Sequence, residues 1–168
     1  LQLGIGDTIE VYKANMIIPQ IAENLTRSDT LKLPDACPVC GGSVRLTEIN
    51  DTVTLYCENA GCQAKHVKSF THFVSRDAMN IEGLSEATLE KFIQKGFLHR
   101  FSDIYDLSRY ENEIVEMDGF GRKSYDNLMA AIDKSRSVQL HRVIYSLGIP
   151  EVGLSGAGLI CRHLKYDV

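Results

Sequence analysis

Four of the five cysteines fall into two close pairs. Cys37 and Cys40 are separated by two residues, Cys57 and Cys62 by four, and 16 residues lie between the pairs. Each short loop can present two thiolates to one tetrahedral ion, and four thiolates leave no open position for water or substrate. The spacing therefore predicts a structural zinc site. So small a segment would depend on the metal for folding.

Other interpretations of the cysteines remain open. Two disulfides or a redox-active C-x-x-C pair would use the same residues, although clustering of this kind in a chain without secretion signals favours a metal. His66 follows Cys62 by four residues and could replace it as a ligand. The distant Cys161 is predicted to be a small apolar residue of the core.

A second group of residues recurs three times beside segments of helical periodicity. The three stretches centre on Leu84, Phe120 and Val152, and two of them contain a glycine before the apolar residue. Glycine admits positive φ and lets a ligand approach the backbone closely. Amides at a helix N-terminus attract an anion, so the pattern predicts helix, tight turn, helix units that bind DNA phosphates without reading base sequence.

The three copies differ in ways that affect this prediction. Ser85 stands where the second copy has Gly121, and Glu151, which could repel a phosphate, replaces the leading glycine of the third. Replacing Gly119 or Gly121 is expected to weaken duplex binding more than folding. Alternatively, each turn only packs two helices together, but three copies in register favour DNA binding. The predicted DNA contacts are Gly83, Leu84, Ser85, Gly119, Phe120, Gly121, Arg122, Lys123, Gly153 and Ser155.

Composition limits the classes of function. The net charge of −4 argues against a protein that coats nucleic acid through a broad basic surface, so backbone amides would have to carry a DNA contact. No apolar run is long enough to cross a membrane and no signal peptide is recognisable, so a cytoplasmic location is expected. No nucleophile, base and orienting group stand together, and no catalytic residue is predicted.

The periodicity changes along the chain. Polar and apolar residues alternate over residues 7–14, and an apolar run then meets Pro19, which predicts one or two strands closed by a breaker. Two alternating runs around Asn50 and Asp51 predict a hairpin between the cysteine pairs. After Lys68 the period is helical. The predicted fold is mainly α: a helix-hairpin-helix array preceded by a small β zinc-ribbon-like module and residual strands of a larger β domain.

The order of these parts resembles the central and C-terminal part of bacterial NAD-dependent DNA ligases. Residues 5–19 (IGDTIEVYKANMIIP) look like the last strands of the ligase OB domain, and residues 37–62 look like its zinc finger. Residues 72–84 (HFVSRDAMNIEGL) and 147–153 (LGIPEVG) look like its helix-hairpin-helix domain. Each stretch alone is moderately specific, whereas their joint order is highly specific.

The resemblance implies a domain organisation. Residues 1–26 would be the C-terminal strands of the OB domain, 27–36 a linker, 37–66 the four-cysteine zinc finger and 67–168 the helix-hairpin-helix domain, truncated before its last repeat. Because the chain begins without Met and stops after an apparently helical stretch, it is expected to be a fragment.

The resemblance also implies an activity. Ligases of this family use NAD and Mg²⁺ to seal nicks in duplex DNA, and their adenylated lysine lies upstream of the matched part. The fragment is therefore expected to be a monomer that binds nicked duplex DNA and catalyses nothing. Competing hypotheses are a free-standing zinc and hairpin adaptor in DNA repair, which would not begin with orphan OB strands, and a purely structural module, which would show no phosphate-dependent binding.

Overall fold

The computed structural model describes residues 1–49 and 52–164. The chain divides into two compact units, residues 1–59 and residues 60–168. The described elements of the first unit are β1 Ile9–Ala14, β2 Ile18–Asn24, β3 Val44–Ile49 and β4 Thr52–Cys57. Those of the second are α1 Gln63–Val74, α2 Glu86–Gln94, a 3-10 segment Phe101–Tyr110, α3 Glu111–Val115, α4 Arg122–Ser135, α5 Leu140–Ser146 and α6 Leu154–His163. The described part of the chain thus contains six α-helices and two antiparallel strand pairs, which is consistent with the predicted order of a β part followed by a helical part.

The first strands form an antiparallel hairpin, β1 with β2. Pro19 lies inside β2, opposite Lys13, so the prediction that this proline ends the strand is wrong. The reason is that both strands of a two-stranded sheet are edges, where a residue without an N–H group is tolerated if that side faces solvent. The turn instead falls at Asn15 and Met16, whose φ angles are 50° and 63°.

A buried asparagine holds the residues that precede β1. The Asn24 side chain is 1% exposed, and its Nδ2 donates to the carbonyls of Leu1 and Gln2 and to Oδ2 of Asp7 at 2.7 to 3.1 Å. The same Asp7 oxygen accepts the Gly4 amide at 2.7 Å. Hydrogen bonding satisfies the buried amide and fixes the beginning of the chain to the end of β2.

The second hairpin joins the two cysteine pairs, as the sequence predicts. Its register places Val44 opposite Cys57 and Ile49 opposite Thr52. The predicted turn residues Asn50 and Asp51 lie outside the described residues. The hairpin brings Cys57, at the end of β4, back to the beginning of β3.

The second unit is helical, as predicted from the change of period. The helices begin earlier than expected, at Gln63, and α1 runs through the predicted domain boundary between residues 66 and 67. The core consists largely of aromatic and aliphatic side chains, including the fully buried Phe70, Leu89, Phe92 and Leu128. No helix within residues 1–49 and 52–164 combines the length and apolar character needed to cross a membrane.

Candidate metal centre and nucleic-acid interface

The structure brings the four paired cysteines together. The Sγ atoms of Cys37, Cys40, Cys57 and Cys62 lie within 4.8 Å of one another, and those of Cys40 and Cys57 are 3.6 Å apart. Four sulfurs around one zinc ion at about 2.3 Å would be separated by about 3.8 Å. The four cysteines are therefore close enough to hold a metal ion.

A tight turn shapes the first cysteine loop. The Gly41 amide donates to the Cys37 carbonyl and the Cys37 amide to the Gly42 carbonyl, each at 2.8 Å. Gly41 has a φ of +67°, a conformation that glycine adopts without steric penalty. The Gly42 amide donates to Sγ of Cys40 at 3.4 Å, which stabilises a thiolate at that position.

The electrostatics of the thiols agree with a need for a cation. Hydrogen bonds from the backbone amides of Cys40 and Val39 lower the pKa of the Cys37 thiol. Burial and neighbouring thiols raise the pKa of Cys57 to about 12. In the protein alone the group would not carry four negative charges at neutral pH, whereas a divalent ion would stabilise all four thiolates.

The alternatives for the cysteines receive no support from the geometry. None of the five cysteines forms a disulfide. His66 is not part of the sulfur cluster: its Nε2 lies 3.3 Å from the His99 carbonyl and its ring packs edge-on against Phe70. Cys161 is fully buried in the helical unit, which confirms its predicted core position.

The three repeated turns share one backbone shape. The first position of each turn is in the left-handed region: φ is +95° at Gly83, +80° at Gly119 and +65° at Glu151. The third position of each is the N-cap of the next helix in extended conformation, and these residues are Ser85, Gly121 and Gly153. The repeat read from the glycines is therefore a repeat of conformation, including the copy whose leading residue is not glycine.

The helix N-termini after the turns differ in capping. Ser85 Oγ accepts the Thr88 amide at 3.2 Å, and Glu86 adds an acidic residue to the first turn of α2. Gly121 and Gly153 have no side chain to offer, and the first turns of α4 and α6 hold no acidic residue. The second and third turns thus leave more amide donors available to an anion than the first does.

The first two turns also differ in how closely they pack against other residues. A Cβ at Gly83 would lie 3.6 Å from the Leu128 side chain, in ordinary contact with the core. Apart from its adjacent residues in the chain, a Cβ at Gly119 or Gly121 would have no atom of the described residues within 4 Å. The first turn therefore packs one helix pair against α4, whereas the second is open.

Both turns border one groove of about 720 Å³. Gly83 and Gly119 both line it, together with Phe120. The lining also includes Asn80, Glu82 and Thr88, and one face of α4 contributes Ser124, Asn127, Ala130, Ala131 and Lys134. The sequence analysis missed these, although their spacing of three to four residues along a helix was a usable signal.

Arg122 and Lys123 stand differently although they are neighbours. Arg122 Nη1 donates to Oε1 of Glu111 at 2.5 Å, and its Nε lies 3.9 Å from Oδ1 of Asp126. Lys123 is exposed and has no ion pair or side-chain hydrogen bond within residues 1–49 and 52–164. Neither residue lines the groove. The remaining predicted contacts, Leu84 and Ser155, are a buried core side chain and an exposed residue of α6.

These features define a class of module: a four-cysteine cluster beside a β-hairpin, followed by three helix, turn, helix units, of which the second and third have uncapped helix N-termini. No family model matches the chain. The chain is 59% identical over 167 residues to a protein named DNA ligase from Ruminiclostridium cellulolyticum and 56% identical to one from Lachnoclostridium phytofermentans, covering 99% of the chain in both cases. It is also 37% identical to a protein named DNA ligase from Spiroplasma citri, a match that covers 96% of the chain.

The chain spans about a quarter of the length of these relatives, 25% in the first case and 26% in the second. Identity at this level along nearly the whole chain establishes common descent. The chain is therefore homologous to one segment of bacterial proteins named DNA ligase.

Proposed function

We propose that the chain is a DNA-binding segment of a bacterial NAD-dependent DNA ligase. It would comprise the last OB strands, a zinc finger and a helix-hairpin-helix array, and would act in the cytoplasm as a monomer in replication and repair. The parent enzyme would use NAD and Mg²⁺ to seal nicks in duplex DNA. The segment would bind the duplex and catalyse no step itself.

The observation that carries the proposal is the shared shape of the three turns. A left-handed first residue followed by an N-cap directs successive backbone amides outward at the beginning of a helix, where a phosphate is a favourable guest. In the second turn both glycines border open space, and the exposed Lys123 adds positive charge in the first turn of α4. Neutral donors carry the contact, so the net charge of −4 is no obstacle.

The turns would contribute unequally. The second, Gly119 to Gly121, has uncapped amides and local positive charge and would bind most strongly. The third, ending at Gly153 with Ser155 in the first turn of α6, also has uncapped amides but carries the acidic Glu151. The first would contribute least, because Ser85 already occupies one amide.

The four cysteines would hold a structural zinc ion. Four sulfur donors suit Zn²⁺, which binds thiolates tetrahedrally and supplies folding free energy without redox chemistry. Cys40 precedes β3 and Cys57 ends β4, so both lie at the open end of the β3–β4 hairpin. The ion would tie the two strands together there, so the hairpin would keep one register.

A salt series tests the function. Binding of the purified chain to intact and nicked duplexes of unrelated sequence would be measured from low to high salt, with zinc content determined in the same sample. Similar affinities for all sequences and a shallow salt dependence support backbone-amide contacts. No duplex binding at low salt by a folded, zinc-loaded chain would refute the proposal and favour a purely structural role for the turns.

A further inference from the structure

Arg122 belongs to a network that joins α3 and α4, the helices on either side of the second turn. Glu111 is the first residue of α3 and Arg122 the first of α4, so their 2.5 Å hydrogen bond spans the turn between the two helices. The guanidinium lies 5.9 Å from the centre of the Tyr125 ring, and Asp126 lies one helical turn further along α4. The guanidinium therefore extends along α4 and not past its N-terminus.

The network is anchored in the core. Tyr125 is 4% exposed, and its hydroxyl lies 3.4 Å from the second carboxylate oxygen of Glu111. The hydrogen bond from Arg122 lowers the pKa of Glu111, and the same contact raises the pKa of Arg122. Both groups therefore stay charged at neutral pH and form an ion pair with each other.

A move of Arg122 to a DNA phosphate would leave this arrangement unbalanced. Glu111 would lose its main partner and would stand as an unpaired carboxylate close to a second anion, which electrostatics disfavours. Lys123 forms no ion pair or side-chain hydrogen bond in the described part of the chain. It is exposed, lies in the first turn of α4 and can reach a phosphate at the open amides without breaking a contact.

We infer that the two neighbouring cations have different tasks. Arg122, through Glu111, is a positioning residue that fixes α3 against α4 and so holds the Gly119–Gly121 turn in its open shape, whereas Lys123 contacts the phosphate. This inference rests on the proposed function. It assigns to Glu111, an acidic residue beside a DNA-binding turn, a role in favour of binding.

Salt dependence distinguishes the two tasks. Lys123→Gln should weaken duplex binding and lower the slope of log K against log salt by about 1, the signature of one lost phosphate contact. Arg122→Gln should weaken binding on the order of threefold to tenfold with an unchanged slope. Lys65→Gln, which removes an exposed lysine of α1, is the control and should leave both quantities unchanged. A slope change for Arg122→Gln equal to that of Lys123→Gln would overturn the inference.

A charge exchange supplies the rescue. Arg122→Glu alone should weaken binding strongly, and adding Glu111→Arg should restore most of the affinity because the pair is rebuilt in the opposite sense. If Arg122 contacted the phosphate directly, the exchanged variant would stay defective. Glu111→Gln gives a further contrast: lower affinity supports a positioning role, whereas higher affinity would show that Glu111 merely competes with DNA and would overturn it.

Thermal unfolding separates this inference from the proposed function. Glu111→Gln and Arg122→Gln should lower Tm, and the double variant should lower it no further than either single one. Additive effects would overturn the positioning role. If the wild-type chain binds no duplex, the proposed function and the Lys123 contact both fail, while the melting cycle still decides whether Glu111 and Arg122 act as a unit.

Discussion

Gly121→Ala is the sharpest test of amide contacts at the second turn. Gly121 has extended backbone with a φ of −156°, which any residue adopts, and a Cβ there meets no atom of the described residues within 4 Å beyond the adjacent ones in the chain. Loss of a good N-cap would destabilise the chain by at most about 1 kcal/mol, and reduced freedom of the unfolded chain offsets part of this. The fold should therefore remain intact.

In the proposed binding mode, the same Cβ would lie where a phosphate approaches the amides of the turn. Loss of one charge-assisted hydrogen bond corresponds to roughly 1.5–3 kcal/mol, or about 10- to 150-fold in Kd. The assay is duplex binding at fixed salt by fluorescence anisotropy, with a melting curve for each variant. Unchanged affinity in a Gly121→Ala variant that melts like the wild type would refute the phosphate contact at this turn.

Gly119→Ala cannot serve the same purpose. Its φ of +80° means that any L-residue there is strained, by about 1–2 kcal/mol. The expectation from sequence, that replacing either glycine weakens duplex binding more than folding, can therefore be tested cleanly at Gly121 but not at Gly119. Gly96→Ala is the matched control, because Gly96 has a φ of +75° but lies outside the three turns. It should lose comparable stability and bind DNA normally.

Three further predictions concern other parts of the chain. Chelation or Cys57→Ser should release one metal ion per chain and unfold the β3–β4 hairpin, which metal analysis and amide exchange would detect. Zinc should also be lost as pH falls, because protons compete for the thiolates. A hairpin that persists without metal would contradict this prediction. Glu151→Gly should raise stability by up to about 1 kcal/mol, since φ is +65° there, and should tighten duplex binding, whereas Glu151→Gln should affect binding alone. Asp103→Ala should lower stability by about 1 kcal/mol because Oδ2 accepts the His99 and Arg100 amides at 2.8 and 2.9 Å. Those bonds lower the pKa of Asp103. Its contribution to stability is therefore fully present above the pKa of the unfolded chain, about 4, and is lost as pH falls through the pKa of the folded protein. Equal melting temperatures of variant and wild type at pH 7 would contradict the assignment.

Local patterns allowed part of the site to be predicted. The cysteine spacing indicated the cluster because two short loops and one hairpin are enough to bring four sulfurs together. The glycine pairs indicated the turns because positive φ is a property of single residues. Both signals depend on neighbours in the sequence, and neither requires knowledge of how distant elements pack.

The features that sequence did not reveal depend on packing between elements. The Glu111–Arg122 pair spans 11 residues and requires the crossing of α3 and α4. Lys134 and Gly83 line the same groove although they are distant in the sequence, which only the tertiary structure establishes. Pro19 was misjudged because a proline interrupts a central strand but not the edge of a two-stranded hairpin.

The third turn shows that the fold, and not glycine, sets the conformation of this repeat. Glu151 occupies the same left-handed region as Gly83 and Gly119 although a side chain disfavours it by about 1–2 kcal/mol. Such a conformation persists only where the surrounding structure over-determines it, in this case α5 before the turn and α6 after it. Under the proposed function, this strain would be the cost of directing the backbone amides of the third turn outward at the beginning of α6. The Glu151→Gly variant tests this, because it should relieve the strain and keep the shape of the turn.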